Sequence, residues 1–487
     1  MILYVLLFAA LVLVYVYLTQ DFNYWKKQRV PYDKPSFLIG SSFAFVAQKV
    51  SLGEYLQSLY KKTSFPCHGF YVFDRPFLLM KDPQVVKMMF SKDFDCFDDH
   101  ILLSNMKYDK VSALSLIMSK NPRWKLWRSL VAPTLSLGKV KTMMPFVIEA
   151  AEGFAEYVKT ISVNQDVTEC RELCFKYAID AMASFTFGLK SNSFGNSEFY
   201  NMAHNLQNNS VSRVTYSMAY FFAPILLKLT KGTFLQPESV QFLKSVFINT
   251  VQLRKTVKTR KGDLIDRLIE IEEERDDFKM EEQGLAFALE FLTAGYVSAG
   301  LTLCFLLYEL SLNESVQELV REEVKTLLKD EEKVSFTAIQ EMKYLDATVK
   351  ETARKYPVLP FIDRRCKKLY KISNIDVTID KDTPVLVSLL GLHYDPRYFP
   401  NPEEFNPDRF FMESNNSAYM PFGQGQRNCV GSLLGTVIVK MAVIKLLQKF
   451  KLRRNKLTPS VMEYEHFGFI LFPKRGEVNL QFKNLNQ

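Results

Sequence analysis

Hydrophobic residues follow two patterns along this chain, and each predicts a different kind of element. Residues 2–18 are an unbroken run of apolar and aromatic side chains, at the lower length limit for a membrane-spanning helix. Between residues 122 and 350, apolar positions recur at helical spacing and alternate with charged faces. Residues 283–312 carry few charges on any face, so we predict a long helix through the middle of the protein.

Strand patterns are short and lie at the two ends of this helical stretch. Residues 70–80 hold two β-prone runs with Asp74, Arg75 and Pro76 between them, which predicts a hairpin. Short strands are predicted at residues 377–379 and 385–387. A meandering loop with four prolines follows, at positions 396, 400, 402 and 407. The patterns predict a mainly α protein with small β-sheets, organised as an anchor (1–20), a linker (21–40) and one large domain (41–487).

The composition of the 487 residues narrows the class of protein. Hydrophobic residues make up 48% and aromatic residues 14%, which suits a large apolar interior able to hold a flat, lipophilic cofactor. The net charge is +9, but the sequence contains no long basic run, so we expect no nucleic-acid partner. The seven cysteines fit no zinc or disulfide framework and indicate mostly buried, free thiols in a reducing compartment.

The apolar N-terminal run is interpreted as an uncleaved anchor. No small-residue cleavage site follows it, and Lys26, Lys27 and Arg29 lie just beyond it. Positive residues favour the cytosolic side of a membrane, so we expect the body to face the cytosol. A second apolar stretch, residues 217–235 with a predicted loop at 221–224, is either ordinary core or a surface that enters the bilayer beside the anchor.

The strongest chemical signal is the sequence FGQGQRNCVG at residues 422–431. A thiolate metal ligand needs a loop that brings backbone N–H groups close to the sulfur, and Gly423 and Gly425 permit such a loop. Arg427 lies two residues before Cys429 and favours the thiolate form. A helix is predicted at residues 432–445, with its positive N-terminal end towards the cysteine.

This segment resembles the heme-binding loop of the cytochrome P450 family at every defined position of Phe-Gly-x-Gly-x-Arg-x-Cys-x-Gly. The resemblance implies the cytochrome P450 fold behind an N-terminal transmembrane anchor, with residues 41–487 as a heme-thiolate catalytic domain. It implies heme b (iron protoporphyrin IX), with Cys429 as the metal ligand and Phe422, Arg427 and Gly431 among the cofactor-binding residues.

Other family motifs are present over nearly the whole chain. Glu351 and Arg354 resemble the family's Glu-x-x-Arg pair, and Arg409 would close a buried triad with them. Two further pairs, Glu272/Arg275 and Glu318/Arg321, have the same spacing and are expected to face solvent.

The motif Trp124-Lys125-Leu126-Trp127-Arg128 resembles the family's Trp-x-x-x-Arg helix. By this resemblance Trp124 and Arg128 contact the heme propionates, and Arg364 and Arg427 contact them from other sides. Guanidinium groups suit this role because they bind carboxylates bidentately.

The oxygen-activating helix departs from the family pattern Ala/Gly-Gly-x-Asp/Glu-Thr. Ala294 and Gly295 are retained, and we expect them to leave room for dioxygen over the iron. Val297 replaces the acid, and Ser298 replaces the threonine. Ser298 keeps a hydroxyl that can hold a proton-carrying water, whereas Val297 cannot relay a proton.

Three functions therefore stay open. The first is a monooxygenase that inserts one oxygen atom from O2 into small lipophilic substrates such as xenobiotics, hormones or lipids. The second is a heme-thiolate isomerase or dehydratase that rearranges peroxides, and the third is a non-catalytic heme protein that binds hydrophobic ligands. We favour the first, because the heme-binding motifs and the anchor of reductase-coupled family members are all present.

The resemblance to insect microsomal, detoxification-type members implies partners and a location. Electrons would come from NADPH through a flavoprotein reductase, with cytochrome b5 as a further candidate donor, at the endoplasmic reticulum membrane. Arg365, Lys367 and Lys368 are either contacts for the reductase or an ordinary solvated charge run. Substrate contacts implied by the resemblance lie in the segments 97–116, 216–222, 287–298, 358–362 and 466–469, with His466 as one polar candidate.

Overall fold

The computed structural model describes residues 1–164, 167–206, 210–328, 334–372, 375–412 and 416–485, and helices dominate it. In the first half of the chain the helices are α1 (Ile2–Thr19), α2 (Tyr24–Lys27), α3 (Phe43–Val46), α4 (Leu52–Lys61), α5 (Pro83–Lys87), α6 (Lys110–Leu114), α7 (Arg123–Val131), α8 (Leu137–Asn164), α9 (Cys170–Phe187), α10 (Glu198–Asn205), α11 (Val211–Phe222) and α12 (Pro224–Thr230). In the second half they are α13 (Pro237–Val257), α14 (Leu264–Glu274), α15 (Leu285–Leu312), α16 (Glu314–Leu328), α17 (Phe336–Glu341), α18 (Lys343–Lys355), α19 (Leu389–His393), α20 (Arg409–Met412) and α21 (Ser432–Leu447).

The strands form small sheets within the described ranges. They are β1 (Cys67–Val72), β2 (Arg75–Met80), β3 (Thr168–Glu169), β4 (Phe361–Arg365), β5 (Tyr370–Ile372), β6 (Val377–Ile379), β7 (Pro384–Ser388), β8 (Phe450–Arg454) and β9 (Asn479–Asn484). One sheet has the order β1-β2-β7-β4, a second has the order β3-β9-β8, and β5 pairs with β6. The prediction of a mainly α fold with small β-sheets is confirmed.

The predicted hairpin exists, but its turn is tighter than expected. β1 and β2 pair antiparallel from Cys67 opposite Met80 to Val72 opposite Arg75. Arg75 and Pro76, predicted at the turn, are therefore strand residues, and Phe73 makes the reversal with a φ of 58°. Proline is tolerated there because β2 pairs with β7 only from Leu78 to Met80, so Pro76 lies near the strand end, outside that second ladder.

The long helix α15 runs through the centre of the larger hydrophobic core, as predicted. Nearly all of its side chains are buried, and it packs against α9, α21 and α18. Because apolar neighbours surround most of the helix, its sequence lacks the charged face that a surface helix needs. A single π turn, Met280–Gly284, leads into it.

The N-terminal segments behave differently from one another. α1 is long and apolar enough to cross a membrane, and its side chains are almost all exposed. Residues 21–40, predicted to be a linker, pack on the body instead: Trp25 is fully buried, and the N–H of Gly69 in β1 donates to the carbonyl of Pro31 at 2.8 Å. Gly69 leaves room for the Trp25 ring, since a Cβ at position 69 would lie 2.4 Å from the ring.

The apolar stretch at residues 217–235 divides between the two interpretations given above. Phe221 and Phe222 close α11 and are buried against Phe361 and Phe45, so this part is core. On α12, by contrast, Ile225 and Leu229 are exposed. The predicted loop at 221–224 is reduced to Ala223, which separates the two helices.

Candidate heme-thiolate site

The loop that carries Cys429 is held in one conformation by backbone contacts. The N–H of Cys429 donates to the carbonyl of Phe422 at 2.8 Å. Gly423 and Gly425 have φ angles of 80° and 76°, in the left-handed region that favours glycine. A Cβ on Gly425 would lie 1.7 Å from the carbonyl oxygen of Phe90, so only glycine fits there.

The residue Cys429 is exposed, unlike every other cysteine. All seven cysteines lie in the described ranges, and the other six are buried. Burial of the site raises the pKa of the Cys429 thiol, whereas the N–H groups of Gly431 and Ser432 and the charge of Arg128 lower it. Gly431 and Ser432 begin α21, so the positive end of that helix favours a thiolate. A bound metal cation would favour the thiolate further.

The helix α15 has one open face among its buried positions. Glu290, Ala294, Ser298 and Thr302 are exposed or half-buried, and they recur every four residues. The hydroxyl of Ser298 donates to the carbonyl of Ala294 at 2.7 Å, which leaves its lone pairs directed away from the helix backbone. We call these four residues the open face of α15.

Gly295 has a packing role in addition to the role expected from the sequence. A Cβ at this position would lie 2.4 Å from the terminal methyl of Met182 on α9. The small residue therefore permits close packing of α15 on α9. The room for dioxygen expected from the Ala294-Gly295 pair stays a prediction, and Ala294 lies on the open face.

Arg364 and Arg427 are buried near each other, and the pKa of each is lowered although Arg427 pairs with Asp99 at 3.4 Å. The guanidinium of Arg427 stacks on the Trp124 ring at 4.0 Å and donates to the carbonyls of Asp98 and Ser119 at 2.7 and 2.9 Å. Burial and the charge of Arg364 lower the pKa of Arg427 to about 9. Burial likewise lowers the pKa of Arg364 to about 10, and its Nε has no hydrogen-bond partner in the described structure.

These features fit a heme group. Two carboxylates would supply the negative charge that the buried arginines need. Cys429 would ligate the iron, and the open face of α15 would leave space on a second side. Arg128 links the Cys429 loop with the open face of α15, because its charge acts on both Cys429 and Glu290.

Arg128 itself has a more specific position than the sequence suggests. Its terminal nitrogens donate to the backbone carbonyl and the side-chain oxygen of Asn428 at 2.9 and 3.0 Å. Arg128, on α7, therefore stabilises the Cys429 loop at the residue that precedes Cys429. Trp124 on the same helix is buried beneath the Arg427 guanidinium.

The predicted triad forms and reaches the cysteine loop. Glu351 accepts from Arg354 at 2.7 Å and from Arg409 at 3.1 Å. Arg354 donates to the carbonyl of His393, and the His393 ring accepts from the N–H of Met420 at 3.3 Å. The carbonyl of Met420 in turn accepts from Gly423 of the loop at 2.9 Å. The triad thus anchors the Cys429 loop through a chain of buried hydrogen bonds.

One expectation about similar pairs is wrong. Arg321 was expected to face solvent, but it is buried and donates to the carbonyls of Leu447 and Phe450 as well as pairing with Glu318. Arg275 is paired with Asp277 rather than with Glu272. Spacing alone could not distinguish these cases, because the carbonyl partners of Arg321 lie about 130 residues away.

The five predicted substrate segments meet around one region. Phe221 contacts Phe361 and Phe469 with ring centroids 5.6 and 5.1 Å apart. The N–H of Leu103 donates to the carbonyl of Tyr220 at 2.9 Å. The segment 287–298 joins them through Glu290, which accepts from Leu116. His466, the polar candidate for substrate contact in these segments, is exposed.

Sequence reasoning missed Glu290. It is the one acidic residue in the apolar stretch from Leu285 to Tyr308, and it precedes Ser298 by two helical turns. That combination of charge and spacing was visible in the sequence. What was not visible is its partners, the N–H groups of Leu116 and Ile117, because they lie about 170 residues earlier.

Comparisons with known proteins agree with this site. A family model described as Cytochrome P450 matches residues 30–480. Cytochrome P450 6k1 of Blattella germanica is 35% identical, over 97% of this chain and 95% of the relative. Probable cytochrome P450 6d5 of Drosophila melanogaster is 32% identical over 97% of both chains, and cytochrome P450 6B7 of Helicoverpa armigera is 30% identical over 96% and 95%. The chain therefore belongs to the cytochrome P450 family and is a heme-thiolate monooxygenase.

Proposed function

We propose that this monooxygenase is anchored in the endoplasmic reticulum membrane by residues 1–20 and inserts one oxygen atom from O2 into small lipophilic molecules. The catalytic domain faces the cytosol and takes electrons from NADPH through a flavoprotein reductase. The observation that carries the proposal is the combination of an exposed Cys429 with an open face on the otherwise buried helix α15.

The residues around the cofactor have separate tasks. Cys429 ligates the iron of heme b, and Phe422 and Gly431 shape the loop on that side. Trp124, Arg128, Arg364 and Arg427 hold or orient the propionates. When bound, the heme supplies the iron that binds and activates dioxygen.

Proton delivery depends on Ser298. Its hydroxyl hydrogen is used on the Ala294 carbonyl, so its oxygen accepts a hydrogen bond from water and holds that water at the open face. Val297 is buried and apolar and relays no proton. Oxygen activation therefore relies on Ser298 and water, without the acid usual in the family.

The substrate class follows from the side chains that meet near the site. Phe221, Phe361, Ile362 and Phe469 present aromatic and aliphatic groups, which favour lipophilic molecules such as xenobiotics, hormones or lipids. The relatives named above are insect cytochrome P450 proteins, and the detoxification-type role implied by the resemblance stays part of the proposal.

Electron transfer requires a docking surface, and the sequence offered three basic residues. Arg365 pairs with Asp99 at 3.2 Å and Lys367 with Asp98 at 3.0 Å, so acidic neighbours offset both charges. Lys368 is the most exposed of the three and is the contact we propose. Charge reversal at Lys368 is expected to slow reductase-supported turnover at low salt.

The experiment measures NADPH consumption and hydroxylated product together, in membranes reconstituted with the reductase and, in a second series, cytochrome b5, across a panel of lipophilic substrates. We expect product to account for a fair share of the NADPH. Turnover of an organic hydroperoxide to a rearranged product without NADPH would favour the isomerase alternative. That alternative is considered because position 297 holds valine instead of an acidic residue. Ligand-induced absorbance shifts with no product under either condition would favour a binding protein.

A further inference from the structure

Glu290 is a half-buried carboxyl group that the proposed reaction does not use. It lies on the open face of α15, and its two oxygens accept from consecutive backbone N–H groups, those of Leu116 at 2.5 Å and Ile117 at 2.8 Å. These N–H groups follow α6, in the segment that the resemblance assigns to substrate contact. Glu290 therefore joins two walls of the substrate region.

The same segment is tied to the cysteine side. Arg427 donates to the carbonyl of Leu116 at 3.4 Å and to that of Ser119 at 2.9 Å. The backbone of Leu116 is thus held on both sides: its N–H donates to Glu290 on α15, and its carbonyl accepts from Arg427 of the Cys429 loop. Removing the Glu290 carboxylate would free one of these two attachments.

Two other roles for Glu290 fit the geometry less well. Eight residues of helix separate it from Ser298, about 12 Å along the axis, which is too far for direct proton transfer to Ser298. Binding of a cationic substrate is disfavoured, because both carboxylate oxygens are already used and the charged groups acting on Glu290 are Arg427 and Arg128.

We propose that Glu290 is a positioning residue for substrate, which fastens Leu116 and Ile117 to the open face of α15 and thereby sets the width of the cavity over the iron. The proposal rests on the monooxygenase function proposed above. Bulky substrates touch this wall and depend on Glu290, whereas a ligand that contacts little besides the iron does not.

Burial raises the pKa of Glu290 to about 7, although the two N–H groups, Arg427 and Arg128 act in the opposite direction. The two N–H groups therefore offset part of the cost of burying the carboxylate.

The test compares Glu290→Gln with wild-type holoenzyme in lipid nanodiscs. Hydrogen exchange of the peptide containing Leu116 and Ile117 is expected to accelerate about tenfold, as for the loss of one charge-assisted hydrogen bond.

Ligand binding provides the second readout, with imidazole and 4-phenylimidazole as probes. Both carry the same iron-binding nitrogen, and only the second carries a ring large enough to reach the wall. Glu290→Gln is expected to weaken 4-phenylimidazole relative to imidazole by about fivefold, roughly one kcal/mol by the standard conversion. Neither readout needs NADPH or product, so failure of the proposed function would not be mistaken for failure of this inference.

Glu323 supplies a matched control, because its carboxylate also accepts from two consecutive N–H groups, those of Tyr344 and Leu345, at 2.8 Å each. Glu323→Gln is expected to change neither readout. Glu290→Asp, which keeps a carboxylate on a shorter side chain, serves if the Gln variant does not load heme, and we expect an intermediate loss of protection. Unchanged exchange at Leu116 and Ile117 together with an unchanged ratio of the two affinities would overturn the proposal.

Discussion

The Cys429 loop and the open face of α15 form two walls of one site, and they differ in how fully they are determined. Each residue that shapes the loop has several partners: Gly425 touches Phe90, Arg427 spans three carbonyls, and the loop is anchored to the Glu351 triad. On α15, the hydrogen bonds of Ser298 among the described residues go only to carbonyls of its own helix. The difference indicates that the structure fixes the proposed metal ligand strictly and leaves the proposed oxygen side free to vary.

Gly425→Ala is expected to have the largest effect, and it tests whether the Cys429 loop is as strictly constrained as its contacts indicate. The new Cβ would meet the Phe90 carbonyl and force the residue out of its left-handed backbone. We expect loss of heme loading, measured as bound heme per protein. Gly423→Ala is the matched control, since its Cβ would find nothing closer than 3.6 Å, and it should retain most of its heme.

Glu351→Gln should follow, because it leaves two buried arginines without their carboxylate. Breaking a buried pair costs about 3–5 kcal/mol, so the midpoint of chemical unfolding should fall markedly. Glu318→Gln removes a pair with the same spacing whose carboxylate is half exposed. It is expected to cost about 1 kcal/mol or less. Equal effects of the two variants would contradict the anchoring role given to the triad.

Low pH should weaken the cysteine side through His393. Burial and the charge of Arg354 lower the pKa of His393 to about 3. The unfolded chain takes up a proton near pH 6.5 and the folded chain does not, so stability present above pH 6.5 is lost as the pH falls towards 3. Between pH 6.5 and 5 this amounts to about 2 kcal/mol. His393→Gln should flatten that part of the profile, whereas the exposed His466→Gln should leave it unchanged.

Ser298→Ala is expected to have the smallest effect, and it sharpens the comparison on the oxygen side. Without the hydroxyl, the fraction of NADPH that ends in product should drop by roughly tenfold, below the usual range for a complete proton relay. Ser298→Thr should match or exceed the wild type, because the branched side chain holds the hydroxyl more firmly. An unchanged yield in Ser298→Ala would assign the protons to another donor.

The sequence predicted what depends on local pattern. The scarcity of charged residues between 283 and 312 located α15, and the glycine and arginine positions around Cys429 pointed to Cys429 as the proposed ligand. The attachments of Glu290, His393 and Arg321 could not be predicted, since each pairs with backbone groups between 27 and 174 residues away and backbone partners leave no mark in composition. The contact of Gly295 with Met182 of α9 could not be predicted either, because the pattern shows that a residue is small but not which helix packs against it.

The most direct test of the account is the absorbance spectrum of the reduced, carbon monoxide-bound protein, measured for the wild type and for Cys429→Ser. We predict that the wild type shows the band of a thiolate-ligated heme and that the variant loses this band even where heme is retained. A Cys429→Ser protein with the unchanged thiolate band would contradict the central claim that Cys429 binds the iron.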